Sequence, residues 1–266
     1  VAEKRWYDDA CGTALALEFL GERWSMLIVR ELMLGPRRFG ELKADLTGIS
    51  ANVLTQRLDS LEQAGVLTRR KLPPPANVQV YELTPWGYES EPIFQATGRW
   101  ATRSPRHDPT LPLSPVSAML SLRTMIDPNR PDIRMTIGFR FPGASFVGRL
   151  DRHDLAIEPG EADDADVVFE TDTTRFVTLV YGKWPFEESE AEGRLKLTGD
   201  RAKAQQFVDL FALPEKLTTG DASWPSLNGS RSRTSSSPAR PIASRRASSR
   251  RCAMRGGESR RRSRRA

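Results

Sequence analysis

Residues 35–70 read "GPRRFGELKADLTGISANVLTQRLDSLEQAGVLTRR" and contain two short amphipathic segments separated by a glycine and followed by a basic run. The first segment runs from Phe39 to Leu46 and ends at Gly48. The second begins at Ser50, a residue type that caps helix N-termini, and runs to Ala64. A short helix, a tight turn and a second helix are typical of a helix-turn-helix.

The second predicted helix has two distinct faces at 100° per residue. Leu54, Leu58 and Leu61 cluster on one side, while Asn52, Gln56, Asp59 and Gln63 lie near the opposite pole, with Thr55 and Arg57 on the flanks. Because Asn and Gln amides bond an adenine edge bidentately, this face predicts base recognition in a DNA major groove. The alternative is an ordinary solvated face, which Asp59 favours because a carboxylate facing phosphates costs energy.

Basic residues lie on both sides of this helix pair. Arg37 and Arg38 begin the first helix, where cations oppose the helix dipole, so their position favours contacts with phosphates. Arg69, Arg70 and Lys71 lie at the base of a predicted hairpin that would flank the duplex as a wing. The alternative is that all five are ordinary surface charges.

Further elements surround this unit. Helices are predicted over residues 10–20 and 24–32, and an antiparallel hairpin pairs residues 66–72 with 78–84 through the loop "PPPAN". A helix from about Pro85 to Trp100 follows. Residues 104–116 contain four prolines and no periodicity, and they are predicted to be a linker.

A second region has a mixed pattern. After a helical segment at residues 117–126, apolar side chains alternate from Ile133 to Phe141 and predict a strand with one buried face. Residues 144–150, 153–158 and 166–171 are expected to continue it as a meander. Helices containing Phe176 and Phe207 flank another short strand. The predicted class is therefore α+β.

Charge is distributed unevenly along the 266 residues. Residues 220–266 hold 13 Arg, 12 Ser and two acids, a net charge of +11, so the remaining residues sum to −5 within the total of +6. Such a segment is too poor in apolar residues to bury a core and is predicted to be disordered. Either it is a basic tail that binds nucleic acid without sequence preference, or it reflects a shifted reading frame.

Several function classes lack support in the sequence. Two cysteines, Cys11 and Cys252, give neither a disulfide framework nor zinc-site spacing, and the N-terminal acids argue against a signal peptide. No apolar run approaches a membrane span. Without a phosphate-binding loop or a hydrolase motif, we expect no enzymatic activity, no catalytic residues, no metal and no cofactor. The expected location is the cytoplasm.

Motifs in the first hundred residues resemble those of the HxlR-type winged helix-turn-helix regulators, relatives of the MarR group. The resemblance spans nearly all of residues 5–103 and rests on Cys11, "GERW" (21–24), "LGPRRFGEL" (34–42), "GIS" (48–50), "VLTQRL" (53–58) and "YELTPWG" (81–87). It implies a homodimer formed through the first and last helices, with the helix from Ser50 in the major groove of a double-stranded DNA operator. Many members carry an Arg in the wing, whereas here Asn77 is the polar candidate at its tip.

The resemblance completes the predicted set of DNA-contacting residues. These are Arg37, Arg38, Ser50, Asn52, Thr55, Gln56, Arg57, Arg69, Arg70, Lys71 and Asn77. Cys11 matches a position that some family members use to sense electrophiles or oxidants, which implies a redox role. The alternative for Cys11, which the sequence favours, is a small buried apolar residue.

Residues 117–215 resemble a sterol-carrier-type domain through "MLSLRTMIDP" (119–128), "DADVVFETD" (164–172) and "GRLKLTGD" (193–200). Such a domain implies binding of a small apolar effector, with Ile133, Phe139, Phe146, Phe169, Phe176 and Phe207 as candidate lining. A plain packed core is the alternative for these side chains. The predicted organisation is a DNA-binding domain at 5–103, a linker at 104–116, a sterol-carrier-like domain at 117–217 and a tail at 218–266.

Overall fold

The computed structural model describes residues 7–162 and 164–217, and the predicted tail lies outside the described residues. The first half contains α1 (Gly12–Leu20), α2 (Ser25–Leu32), α3 (Phe39–Asp45), α4 (Ala51–Gln63), β1 (Leu67–Lys71), β2 (Gln79–Leu83), α5 (Pro85–Tyr88) and α6 (Glu91–Thr102). The second half contains α7 (Pro115–Met125), β3 (Met135–Phe141), β4 (Ala144–Leu150), β5 (Leu155–Pro159), β6 (Val167–Thr171), α8 (Thr173–Gly182), α9 (Phe186–Ala191), β7 (Leu195–Gly199) and α10 (Arg201–Asp209). No helix in these described residues has the length and apolar character needed to cross a bilayer.

The helix-turn-helix predicted from residues 35–70 is confirmed. Gly48 adopts a φ of +92°, a conformation that favours glycine and reverses the chain between α3 and α4. Ser50 caps α4, since its Oγ accepts a hydrogen bond from the Val53 N–H at 3.2 Å. The three inward leucines of α4 are completely buried, as the wheel predicts: Leu54, Leu58 and Leu61.

The predicted hairpin is also present and is fixed to the start of α3. Strands β1 and β2 are antiparallel, with Leu67 opposite Leu83 and Lys71 opposite Gln79. The Arg37 N–H donates to the Tyr81 carbonyl at 2.9 Å, and the Tyr81 N–H donates back to the Arg37 carbonyl at 2.8 Å. This bridge fixes where the hairpin lies relative to the helix-turn-helix.

The single helix predicted from Pro85 to Trp100 is wrong. The chain forms α5 and α6, with a break at residues 89–90. Pro92 lies in the first turn of α6, where its missing N–H removes no helical hydrogen bond. Inside one continuous helix, its ring would clash with the carbonyl of Tyr88, four residues earlier.

The second half is built on a five-stranded sheet in the order β5-β4-β3-β6-β7. The meander prediction is confirmed for β3, β4 and β5 and is wrong for β6, which pairs with β3 in parallel. As the central strand, β3 has two edges of backbone N–H and C=O groups to satisfy, and β4 covers only one of them. Gly138 of β3 permits close packing, because a Cβ there would lie 3.0 Å from Cγ2 of Val168.

A phenylalanine cluster fills the space between this sheet and the helices that cover it. The Phe139 ring centroid lies 6.3 Å from that of Phe169, 5.4 Å from Phe176 and 5.9 Å from Phe207. All four side chains are completely buried. These rings form the centre of the core of the second half.

The two halves are in direct contact through α7. The Ser114 hydroxyl, at the N-cap of α7, donates to the buried Glu31 carboxylate of α2 at 2.8 Å. On α6, the Arg99 guanidinium donates to the Thr124 carbonyl. The end of the described chain returns to the same helix, where the Leu217 N–H donates to the Arg103 carbonyl at 2.8 Å. The limits of the predicted domains and linker stay predictions, although helix α7 already begins at Pro115.

Candidate nucleic-acid interface

The outward face of α4 presents side chains that the protein does not use internally. Asn52, Thr55 and Gln56 are exposed. Within the described part of the chain, the amides of Asn52 and Gln56 have no hydrogen-bond partner, whereas the opposite face of the helix is fixed by its leucines. The amide groups are therefore held on a rigid element and available to an external ligand.

Ser50 has a structural role of its own. Its Oγ accepts the Val53 N–H, so the lone pair used for capping is occupied, and the hydroxyl proton is still free to be donated. A phosphate oxygen is an acceptor for such a proton. Ser50 can therefore cap α4 and, at the same time, donate a hydrogen bond to a phosphate of the DNA backbone, as predicted.

The two arginines that precede α3 differ in exposure and in ion pairing. Arg37 forms an ion pair with Asp45 and lies 3.5 Å from the Glu41 carboxylate, and its side chain is largely buried. Although a cation here opposes the helix dipole, Arg37 is stabilised within the protein, because two acids of α3 fold back onto it. Arg38 is exposed, its backbone N–H donates to Glu41 Oε2 at 2.8 Å, and its guanidinium has no partner among the described residues.

Arg57 is also held by the protein. Its guanidinium lies 2.9 Å from the Glu22 carboxylate and donates to the Arg23 carbonyl at 3.2 Å. These bonds join α4 to the turn between α1 and α2. Arg23 itself is an exposed cation absent from the predicted set, with its guanidinium 5.5 Å from the Trp24 ring centroid. The signal in the sequence that could have added Arg23 to the predicted set was its place in the "GERW" motif.

Arg69 explains the acid on the outward face of α4. Its guanidinium forms ion pairs with Asp59 and, at 2.7 Å, with Glu62, and it lies 5.7 Å from the Tyr81 ring centroid. Asp59 is thus neutralised by the hairpin. Arg70 is likewise paired, with Glu82 across the hairpin.

Two residues of the hairpin have no such partner. Lys71 is exposed at the end of β1, and its ammonium is unpaired in the described residues. Asn77 is exposed in the loop and adopts a left-handed conformation with φ of 45°, a region that Asn tolerates better than most residues. Along with Arg38, Lys71 is a predicted phosphate ligand whose charge no acid in the described chain offsets.

Cys11 is exposed, so the interpretation of a small buried apolar residue is wrong. It occupies the N-cap of α1, and its own N–H donates to Asp9 Oδ1 at 2.9 Å. The N–H and O–H groups at the start of α1 lower the pKa of the Cys11 thiol, with the Thr13 backbone N–H as the largest cause, followed by the Thr13 hydroxyl and the Ala14 N–H. None of these causes is a basic side chain.

The candidate lining residues of the second half lie in the core. Phe139, Phe146, Phe169, Phe176 and Phe207 are buried, and Ile133 is half-buried just before β3. A cavity of about 520 Å³ lies elsewhere, between α6, α7 and α8, and none of these six side chains lines it. Helical periodicity did not identify that cavity, because its walls come from both halves of the chain.

Comparison with known proteins identifies both halves. A model of the HxlR-like helix-turn-helix family matches residues 19–108. The HTH-type transcriptional regulator YodB of Bacillus subtilis (strain 168) is 38% identical over 86 residues, which cover 32% of this chain and 77% of YodB. The chain belongs to the HxlR-like helix-turn-helix family.

Further similarities were found to a second relative, to a solved structure and to a second family. YvaP, an uncharacterized HTH-type transcriptional regulator of the same organism, is 40% identical over 88 residues, covering 33% of this chain and 81% of the relative. The solved reduced form of YodB is 34% identical and covers 38% of this chain and 100% of that one, with a TM-score of 0.34. Residues 141–212 match the SCP-2 sterol transfer family. Membership of the HxlR-like family supports DNA-binding transcriptional regulation.

The ion pairs predict that the arginines of the interface contribute unequally to DNA binding. Arg38→Ala removes a charge that no acid in the described part of the chain pairs, and it should flatten the plot of log affinity against log salt by roughly 0.9 for each phosphate that the guanidinium neutralises. Arg69→Ala should change the slope much less, because Asp59 and Glu62 already neutralise its charge. Fluorescence anisotropy on a duplex at several salt concentrations measures both slopes.

Arg152→Ala is the control for this comparison, since Arg152 is an exposed cation of the β4–β5 turn. The plot of log affinity against log salt for Arg152→Ala should have the same slope as that of the unmodified chain. Equal slopes for Arg38→Ala and Arg69→Ala would contradict the assignment.

Proposed function

We propose that the chain is a sequence-specific DNA-binding transcriptional regulator that acts as a homodimer and responds to a small apolar effector. The observation that carries the proposal is the pair of exposed amides on α4, Asn52 and Gln56, which have no partner among residues 7–162 and 164–217 and lie on a helix fixed by buried leucines. The relatives are named as transcriptional regulators, and the proposal includes no enzymatic activity.

The chemistry of α4 supports reading of adenine. A carboxamide presents one donor and one acceptor side by side, which match the N6 and N7 positions of adenine in the major groove. Recognition helices enter the groove by their N-terminal residues, and both amides lie in the first two turns of α4. Thr55 lies beside them, and Arg38, Lys71 and the Ser50 hydroxyl are left for phosphates.

Exposed apolar side chains support dimerisation through α1 and α6. Leu17 of α1 is 50% exposed, and Ile93 and Trp100 of α6 are 44% and 74% exposed. Trp86 of α5 is also exposed and, with Phe19 and Ile93, lines a groove of about 180 Å³ between α1 and α6. Apolar surface gathered on two helices is typical of a protein interface. A dimer also presents two recognition helices, one for each half-site of a palindromic operator.

An apolar effector is supported by the match to the SCP-2 sterol transfer family over residues 141–212. In this proposal the second half binds the effector and the first half binds the operator. The effector changes operator affinity only by favouring one arrangement of the two recognition helices.

Substitution of Gln56 tests the base-reading assignment. A genomic DNA-binding selection with the full chain should return a palindromic site. Gln56→Ala should then relax the preference at one position in each half-site, at a cost of about 1–3 kcal/mol. Gln63→Ala is the control, because Gln63 presents the same exposed amide at the far end of α4 and should leave the preference unchanged. An unchanged preference in Gln56→Ala would refute the assignment.

A charge introduced on α6 tests the dimer. Ile93→Arg should shift the dimer to monomer in sedimentation equilibrium, because the guanidinium must be desolvated in the interface. Operator affinity should fall with it, since one half-site alone is bound weakly. Leu111→Arg places the same charge on an exposed leucine outside both helices and should remain dimeric. A dimer that persists in Ile93→Arg would exclude α6 from the interface.

A second candidate function is supported by Cys11, whose exposed thiol has a lowered pKa. In this alternative the regulator senses electrophiles or oxidants, and modification of Cys11 alters operator affinity. The exposed position beside α1 supports it, because α1 is also proposed to form part of the dimer interface.

The pH dependence of alkylation tests this alternative in a Cys252→Ser background. A lowered pKa places more thiolate at lower pH, so the midpoint of the iodoacetamide rate should lie below that of N-acetylcysteine amide in the same buffer. Thr13→Ala keeps the backbone N–H and removes only the hydroxyl, so the midpoint should rise partway. A midpoint equal to that of the free thiol, or operator affinity unaffected by alkylation, would remove the sensor role.

A further inference from the structure

The cavity of about 520 Å³ lies where the two halves of the chain meet. Helix α6 contributes Phe94 and Gly98 to its wall, α7 contributes Leu120, and α8 contributes Val177. Helices α6 and α7 are in contact at Gly98, where a Cβ would lie 3.9 Å from Cγ2 of Thr124, an ordinary van der Waals distance. The volume falls in the range of about 300–1,000 Å³ typical of small-molecule sites.

The permanent charges that line the cavity are neutralised by the protein. Glu91 lies 3.1 Å from the guanidinium of Arg123, and Arg30 lies 2.6 Å from the carboxylate of Glu31. The Gln95 amide also donates to Glu91, at 3.0 Å. An ionic ligand would lose its hydration here and find no unpaired countercharge in the lining.

Two hydroxyl groups of the α7–α8 wall donate their protons to their own helices. The Ser121 hydroxyl donates to the Ala118 carbonyl at 2.8 Å, and the Thr178 hydroxyl donates to the Thr174 carbonyl at 2.9 Å. The Tyr181 hydroxyl lies 2.9 Å from Ser121 Oγ. Since the Ser121 proton is committed, Tyr181 is the donor of that bond.

Tyr181 consequently presents only acceptor capacity to the cavity. A phenol oxygen that donates one hydrogen bond keeps lone pairs that accept another. Burial raises the pKa of Tyr181, which keeps the hydroxyl protonated and the wall uncharged. A ligand group that hydrogen-bonds to Tyr181 must therefore bring its own proton.

We infer that this cavity binds a neutral, mainly apolar small molecule that carries one hydroxyl or N–H group, and that the Tyr181 hydroxyl oxygen accepts a hydrogen bond from that group. The regulatory consequence rests on the proposed function. Because α6 is both a wall of the cavity and a helix of the proposed dimer, a ligand there contacts the element that sets the spacing of the recognition helices. Ligand binding can then change operator affinity through α6 directly, without any change in the five-stranded sheet.

Displacement of a fluorescent probe from the full chain tests the ligand class. The probe is N-phenyl-1-naphthylamine, which is neutral, apolar and carries a single N–H. Competition compares 1-dodecanol, its methyl ether and dodecanoate. The alcohol should displace the probe about five- to tenfold more effectively than the ether, which lacks the donor, and than the carboxylate, which lacks a countercharge. Equal displacement by all three, or no probe binding, would overturn the inference.

Substitutions in the wall locate the site. Tyr181→Phe keeps the ring and removes the acceptor, so the preference for alcohol over ether should fall below twofold while the probe still binds. Thr178→Trp fills the cavity and should abolish probe binding. Thr174→Trp places the same side chain on an exposed position of α8 outside the cavity and should bind the probe normally. Probe binding retained by Thr178→Trp, with an unchanged thermal melt, would place the ligand elsewhere.

Operator affinity, measured on the selected DNA with and without saturating 1-dodecanol, separates this inference from the proposed function. A change of fivefold or more that disappears in Thr178→Trp supports regulation through the cavity. Probe binding without any operator binding would leave the site standing and refute the proposed function. Operator binding without probe binding would refute the ligand site and leave the proposed DNA-binding function standing.

Discussion

Burial of three leucines on α4 is the constraint on which the proposed DNA interface depends. Leu54, Leu58 and Leu61 are completely buried, and α4 contacts α2 on that side. Burying each such side chain contributes about 1.5–3 kcal/mol, so rotating the helix to bury its polar pole is strongly disfavoured. Once the rotation of α4 is fixed, Asn52 and Gln56 have to face outward.

The same rotation also determines which arginines are available to DNA. Asp59 and Glu62 face β1 and capture Arg69, and Arg57 reaches the turn before α2 to pair with Glu22. Surface ion pairs contribute little to stability, typically below about 1 kcal/mol. Their larger effect here is electrostatic, because they cancel positive charge along the flanks of α4 and leave positive charge at Arg38 and Lys71. In the proposed interface, base reading and phosphate binding therefore belong to different residues.

The helix-turn-helix was predictable from local signals, whereas its ion pairs were not. Leucine spacing, the Ser50 cap and Gly48 are features of single segments, and each acts within a few residues. The acid that pairs with Arg57 precedes α2 and the acids that pair with Arg69 lie on α4, so these pairs depend on tertiary placement that no periodicity encodes. The break between α5 and α6 was predictable from Pro92 by its missing N–H. Pairing of β3 with β6 was not, because alternation marks a strand without identifying its neighbours.

The junction of the two halves was the part least accessible to sequence reasoning, and it depends on a buried carboxylate. Glu31 is completely buried, and its Oε1 accepts hydrogen bonds from Arg30 and from Ser114, the residue that caps α7. Its Oε2 has no hydrogen-bond partner in the described residues. A buried charge is tolerated only while it stays paired, so Arg30 and Ser114 must keep their places. Because Ser114 also sets where α7 begins, this carboxylate positions α7, one wall of the cavity, relative to α2.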